Sequence, residues 1–154
     1  MKLLLLLLLG LPFTLHHAAS YHLTIENGKT GLLVNEIVGQ WKKNAAGQDA
    51  NSNRILEESE KMKLEPGAQD NIHLNADGKC KVFGMGMELE GTWLTKNYNG
   101  KKTLFIYTND IANLPQEDKD KSAMRFEIVS LKDGKLVVIP PIFTFILAEY
   151  VRSK

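Results

Sequence analysis

The side chains able to do chemistry are few and scattered. Of the four histidines, His16 and His17 sit in an N-terminal apolar stretch, and only His22 and His73 lie beyond it. Two separated imidazoles are too few for a histidine-based metal cluster. Cys80 is the sole cysteine, so no disulfide or paired-thiol site can form within the chain. A lone thiol in a β-prone run reads as a small buried hydrophobe. Glu88 and Glu90 are a possible carboxylate pair for acid–base work, but alternation along a strand puts both on one exposed face. His73-x-Asn75-x-Asp77-Gly78 begins like a calcium loop, yet its twelfth position is Gly84 rather than glutamate. It reads as a turn. Gly84-Met85-Gly86-Met87 lacks the third glycine and the following helix of a dinucleotide loop, and reads as a bulge. Gly-x-Ser-x-Gly and His-Glu-x-x-His are absent. The expectation is a protein that is not an enzyme, with no catalytic residue, no metal and no cofactor.

The elements that would position any site begin after a leader. Lys2, the apolar run from Leu3, and the small residues Ala18-Ala19-Ser20 have the anatomy of a secretory signal peptide. Residues 1–20 are therefore expected to be removed, leaving 21–154 as one domain in the periplasm or outside the cell. The apolar run is short for a bilayer span, so no transmembrane segment is expected after cleavage. No cysteine follows the small residues to carry a lipid anchor. Without Lys2 the acidic and basic side chains balance, which argues against a nucleic-acid partner or an anionic membrane surface. Oligomeric state is not legible.

The rest reads as β-structure. The stretch Glu90 to Thr108 has two β-prone runs joined through Tyr98-Asn99-Gly100, where Asn and Gly tolerate the positive φ of a tight connection. A three-residue loop there would place Trp93 opposite Phe105, Gly91 opposite Tyr107 and Leu94 opposite Leu104. One side of the hairpin would be aromatic and the other aliphatic, either of which could face inward. The same loop logic at Ala76-Asp77-Gly78 pairs Leu74 with Cys80 and Ile72 with Val82. At Lys132-Asp133-Gly134 it pairs Ile128 with Val138 and Ser130 with Leu136, leaving Arg125 and Glu127 on the other face. Further strands are expected over Tyr21–Glu26, before the turn signal Asn27-Gly28, over Leu32–Lys43, and over Phe143–Val151, with cover on both faces of the last. Asn44–Asn53 and Asn109–Lys121 read as loops, Pro140-Pro141 as a bend or edge, and Arg54–Leu64 as a ragged strand or a short helix. The fold class is all-β, an antiparallel up-and-down β-barrel of about eight to ten strands.

Two Gly-x-Trp motifs, Gly39-Gln40-Trp41 and Gly91-Thr92-Trp93, suit a barrel floor where a neighbouring backbone comes close to the ring. The signal peptide, Ile37-Val38-Gly39-Gln40-Trp41 on an early strand, Leu74-Asn75-Ala76-Asp77-Gly78, Glu90-Gly91-Thr92-Trp93 and the final Tyr150-Val151-Arg152 together resemble the secreted lipocalin-like domains of Bacteroides-type bacteria, within the calycin and lipocalin superfamily. That resemblance implies a small barrel with Trp41 packed across its closed end and Arg152 covering the ring, with Trp93 nearby. It departs from many relatives in having no anchoring cysteine and no disulfide.

Three functions follow. In the first, a small hydrophobic molecule is held in the interior by Val82, Phe105, Tyr107, Phe126, Ile128 and Phe145. If the aliphatic side of the central hairpin faces inward, Leu94, Leu104 and Ile106 replace Phe105 and Tyr107. In the second, the barrel is filled by its own side chains and serves as an interaction or structural domain. An uncharacterised enzyme is the third.

Overall fold

Alternating burial along successive strands, with one face packed inward, is the property that lets this sheet curl until its first and last members meet. The computed structural model describes residues 30–64, 70–84 and 86–153. The expected strand at Tyr21–Glu26 and its turn lie outside them. A helix, α1 (Thr30–Ile37), leads into strands β1 (Gly39–Gln48), β2 (Lys61–Met62), β3 (Asn71–Leu74), β4 (Lys79–Gly84), β5 (Met87–Tyr98) and β6 (Lys101–Thr108). A second helix, α2 (Gln116–Ser122), precedes β7 (Met124–Lys132), β8 (Lys135–Ile139) and β9 (Ile146–Arg152). Every strand pairs antiparallel with its neighbour, in the order β2-β1-β3-β4-β5-β6-β7-β8-β9. β1 also pairs with β9, from Trp41 opposite Arg152 to Gln48 opposite Ile146. Eight strands thus form a closed up-and-down barrel, and the two-residue β2 lies against the outer half of β1.

Turn chemistry decides the registers. At Gly78 a single positive φ closes the three-residue loop, and Leu74 faces Cys80 and Ile72 faces Val82 as expected. At Asn99-Gly100 both residues have positive φ (51° and 76°), the signature of a two-residue type I′ turn. Tyr98 therefore pairs with Lys101, Trp93 with Ile106 and Leu94 with Phe105, one residue away from the expected register. Asp133-Gly134 makes the same kind of turn, so Ser130 faces Val137 and Leu131 faces Leu136. A bulge at Val129 then restores the expected Ile128–Val138 pair. Gly84 pairs with Met87, so β4 and β5 meet as a hairpin there rather than at a bulge.

Three further segments differ from expectation. Residues 30–37 are helical rather than extended, because Val34 and Ile37, one turn apart, both pack on the core. Residues 44–48 continue β1 instead of forming a loop. Their small side chains reflect crowding: a Cβ on Gly47 would lie 2.2 Å from the Glu60 carbonyl oxygen. Residues 109–122 carry a short 3-10 turn and α2, with Glu117 and Asp118 in the first turn of α2 and Lys119 and Lys121 in its last. Of residues 54–64, only β2 is a strand, preceded by a 3-10 turn over Glu58–Glu60. The chain bends after Ile139, at the two prolines, and β9 starts at Ile146 with four consecutive buried residues, Leu147 to Tyr150.

Candidate functional site

The interior of the barrel is the first place to look for a ligand. Its floor is built by α1, the Gly39-Gln40-Trp41 motif and the end of β9. Trp41 is 1% exposed, and its indole Nε1–H donates to the Ile37 carbonyl at 2.7 Å. The Arg152 guanidinium lies 4.8 Å from the Trp41 ring and donates to the Glu36 carbonyl oxygen, which ties strand and helix together across the aromatic face. Trp93 repeats the device, donating its Nε1–H to the Asn75 carbonyl at 2.9 Å.

Above the floor the inward side chains form one continuous cluster. Leu104 and Ile106 from β6, Phe126 and Ile128 from β7, and Leu136 and Val138 from β8 belong to it. Ile72, Leu74, Cys80, Val82 and Trp93 meet them from the opposite wall. None is more than 8% exposed. Burial pushes the Cys80 thiol up to about 11, so it stays protonated and inert at neutral pH. Three of the six residues expected to line a ligand cavity, Val82, Phe126 and Ile128, do point inward, where they pack against this cluster.

The other three do not. The one-residue shift of the central hairpin sends Phe105 and Tyr107 to the outer wall together with Leu94, while Leu104 and Ile106 face inward with Trp93. The two faces expected of the hairpin are therefore mixed. On the outside Phe105 and Tyr107 stack at 6.0 Å under the 109–123 segment, with Ala123 and Ile111 as neighbours. Asp120 accepts hydrogen bonds there from the Tyr107 hydroxyl (2.7 Å), Lys96 Nζ (2.6 Å) and Gln116 (2.8 Å). Burial alone would raise the Asp120 pKa, but these donors outweigh it and hold the carboxyl below its ordinary range. Phe145 precedes β9 and is 55% exposed, outside the interior altogether.

The sequence reading missed a polar pair near the mouth. Lys43 follows Trp41 by two residues on β1 and faces Tyr150 across the seam with β9, so alternation carries it inward. Its ammonium lies 2.5 Å from the Asp70 carboxylate, while the Lys43 amide donates to the Asp70 carbonyl. Gly84 makes room for them, since a Cβ there would be 2.9 Å from Asp70 Oδ1. The signal was faint: both residues flank segments of loop-like composition, and only the register of β1 against β3 and β9 brings them to the inner face.

Other polar constellations lie on the outer wall. Glu88 and Glu90 are bridged by Lys81 at 2.8 and 2.6 Å, which lowers the Glu90 pKa through the Lys81 hydrogen bond. His73 packs on Phe83 with ring centroids 5.1 Å apart, and Asn75 to Gly78 is a turn. Glu149 accepts from Asn44 (2.7 Å) and Lys135 (3.2 Å). No group of three His, Cys, Asp or Glu among the described residues has the geometry to hold a metal. Shallow clefts among the described residues lie elsewhere. One of about 410 Å³ lies below the floor between Glu36, Trp41, Asp133 and Arg152. Another, of about 340 Å³, lies on the outer wall where residues 54–56 cross Val129, Val137 and Glu149.

Comparison of the chain with protein-family models, with characterised proteins and with solved structures finds no match. The interior and its two ends are thus read from their own geometry.

Proposed function

We propose that this chain is an exported, lipocalin-like, non-catalytic interaction domain in which the barrel is a filled scaffold and the outer surface makes the contacts. The observation that carries this reading is the burial of the inward apolar side chains of the cluster, none of them more than 8% exposed. A cavity fit for a small hydrophobic molecule has a volume on the order of 300 Å³ or more, and its lining would retain accessible surface. The Lys43–Asp70 pair adds to this, because an apolar molecule entering beside it would strip the remaining water from a partly exposed ion pair and offer it no hydrogen bond in return. Export rests on the anatomy of residues 1–20, and the lipocalin kinship on the ordered motifs together with the Arg152–Trp41 floor.

The test uses the two tryptophans, both close to the floor and both packed in the core, as built-in reporters. A hydrophobic fluorescent probe is titrated into the folded protein while tryptophan emission is followed. The expected result is no one-to-one saturable uptake and no change in tryptophan emission. Stoichiometric binding with quenching of Trp41 or Trp93 would restore the reading in which Val82, Phe126 and Ile128 line a ligand cavity.

A further inference from the structure

The two ends of the barrel differ sharply in what they expose. The hairpin turns at the floor end are Asn75 to Gly78, Asn99-Gly100 and Asp133-Gly134, which carry no large hydrophobic side chain. At the mouth end Met62 of β2 and Met87 at the start of β5 are exposed, as are Leu114 in the β6–β7 link and Ile142, Phe143 and Phe145 in the β8–β9 link, while the exposed Ile55 lies along the outer wall beside Val129 and Val137. Of the large hydrophobic side chains exposed among the described residues, Tyr98 alone belongs to a floor-end hairpin, and Arg125 bonds its hydroxyl.

The β8–β9 link dominates. Ile142 is 75% exposed, Phe143 49% and Phe145 55%, and the sequence from Leu136 to Ala148 contains no charged residue. The link is also held in shape. Pro140 and Pro141 fix their own φ, the Phe143 amide donates to the Pro140 carbonyl at 3.4 Å, and the Ile146 amide donates to the Phe143 carbonyl at 3.3 Å. The Asp49 amide donates to the Phe145 carbonyl at 3.1 Å, which ties the link to the one after β1. Its apolar side chains are thus presented with little conformational freedom left to lose.

We propose that this end of the barrel docks on an uncharged lipid surface by shallow insertion of Ile142, Phe143 and Phe145. The inference rests on the filled-barrel reading, and names its partner. Area favours lipid over a second copy of the chain: half to three quarters of three such side chains is on the order of 400 Å², against about 800 Å² per partner in a stable protein interface. Charge selects the kind of lipid. The link has no lysine or arginine to meet an anionic headgroup, and the mature chain has no net positive charge to attract one. Aromatic and aliphatic tips on a neutral link suit the boundary between headgroup and acyl chain.

The experiment is co-sedimentation of the full-length mature protein with phosphatidylcholine vesicles, repeated at low and high salt. The expected result is salt-insensitive binding that falls about tenfold or more in Ile142→Asp and in the double variant Phe143→Ser/Phe145→Ser. Tyr98→Ser, at the other end, leaves it unchanged. Circular dichroism confirms that each variant is folded, as expected for exposed positions. Absence of binding to neutral vesicles overturns the proposal, as does binding that requires anionic lipid and disappears with salt. Self-association without vesicles that Ile142→Asp abolishes overturns it in favour of a second copy. If vesicles fail while tryptophan emission still shows an interior closed to probes, the lipid assignment falls and the interaction-domain reading stands.

Discussion

Truncating Phe126 to alanine measures how full the barrel is. The ring is 4% exposed, belongs to the interior cluster, and sits opposite Leu104 on β6. Its removal forfeits about 2 kcal/mol of transfer free energy and leaves a void on the order of 100 Å³, which at about 24 cal/mol per Å³ adds roughly 2 kcal/mol more. The expected destabilisation is therefore ~3–5 kcal/mol, the range for a large core truncation whose walls do not collapse. Equilibrium unfolding in urea, read from tryptophan emission, should show a lower midpoint at unchanged slope. A dry apolar void of this size should also admit benzene or a similar small molecule, which would recover part of the lost stability in the variant while leaving the parent unaffected. A loss under about 1 kcal/mol, or stabilisation of the parent by the same molecule, would refute the reasoning, because either means that the interior already holds space beside Phe126.

Two other perturbations probe the wall. Gly91→Ala should cost ~3 kcal/mol or more in thermal unfolding, since its Cβ would lie 2.1 Å from the Tyr107 carbonyl oxygen and neither backbone can yield; a melting temperature within a degree or so of the parent would show that β5 and β6 can separate there. Asp120→Asn should lower stability at neutral pH and flatten its decline in acid, because a carboxyl whose folded pKa is depressed contributes fully above its ordinary range and loses that contribution as pH falls through the folded value. An acid limb unchanged between parent and variant, followed by melting temperature from about pH 7 down to about pH 2, would remove Asp120 from the account.

The residues that were legible in the sequence are those whose partners are set locally. Ala76-Asp77-Gly78 announces its loop, and matching Leu74 to Cys80 and Ile72 to Val82 follows from apolar facing apolar. At Asn99-Gly100 the same reasoning failed because Leu94, Leu104, Phe105 and Ile106 are all apolar, so both candidate registers satisfy the hydrophobic pattern and only turn geometry separates them. β6 is buried on both faces, and no alternation betrays which side is inside. Segments with loop-like composition misled for a related reason. The Ala45-Ala46-Gly47 run is small because residues 56–60 lie against it, a fact that no local pattern carries. The Lys43–Asp70 pair was hidden by sequence distance, and the exposed Phe145 looked like core because it continues an apolar run into β9.

The seam between β1 and β9 sets an order of events for the chain's own assembly. Trp41 finds its strand partner in Arg152, and Gln48 in Ile146, about a hundred residues away. Every other ring contact except the β1–β3 pairing is a hairpin or a short connection, so local pairing can advance from β3 to β9 early while closure waits for the most distant encounter. Until the segment 146–152 has emerged from the ribosome, β1 and β8 each keep an unpaired edge, the template on which strands of separate molecules join. Under the export proposed above, the chain would arrive as an extended thread and meet that hazard only after its last strand is available, and closing the ring would then remove both edges at once.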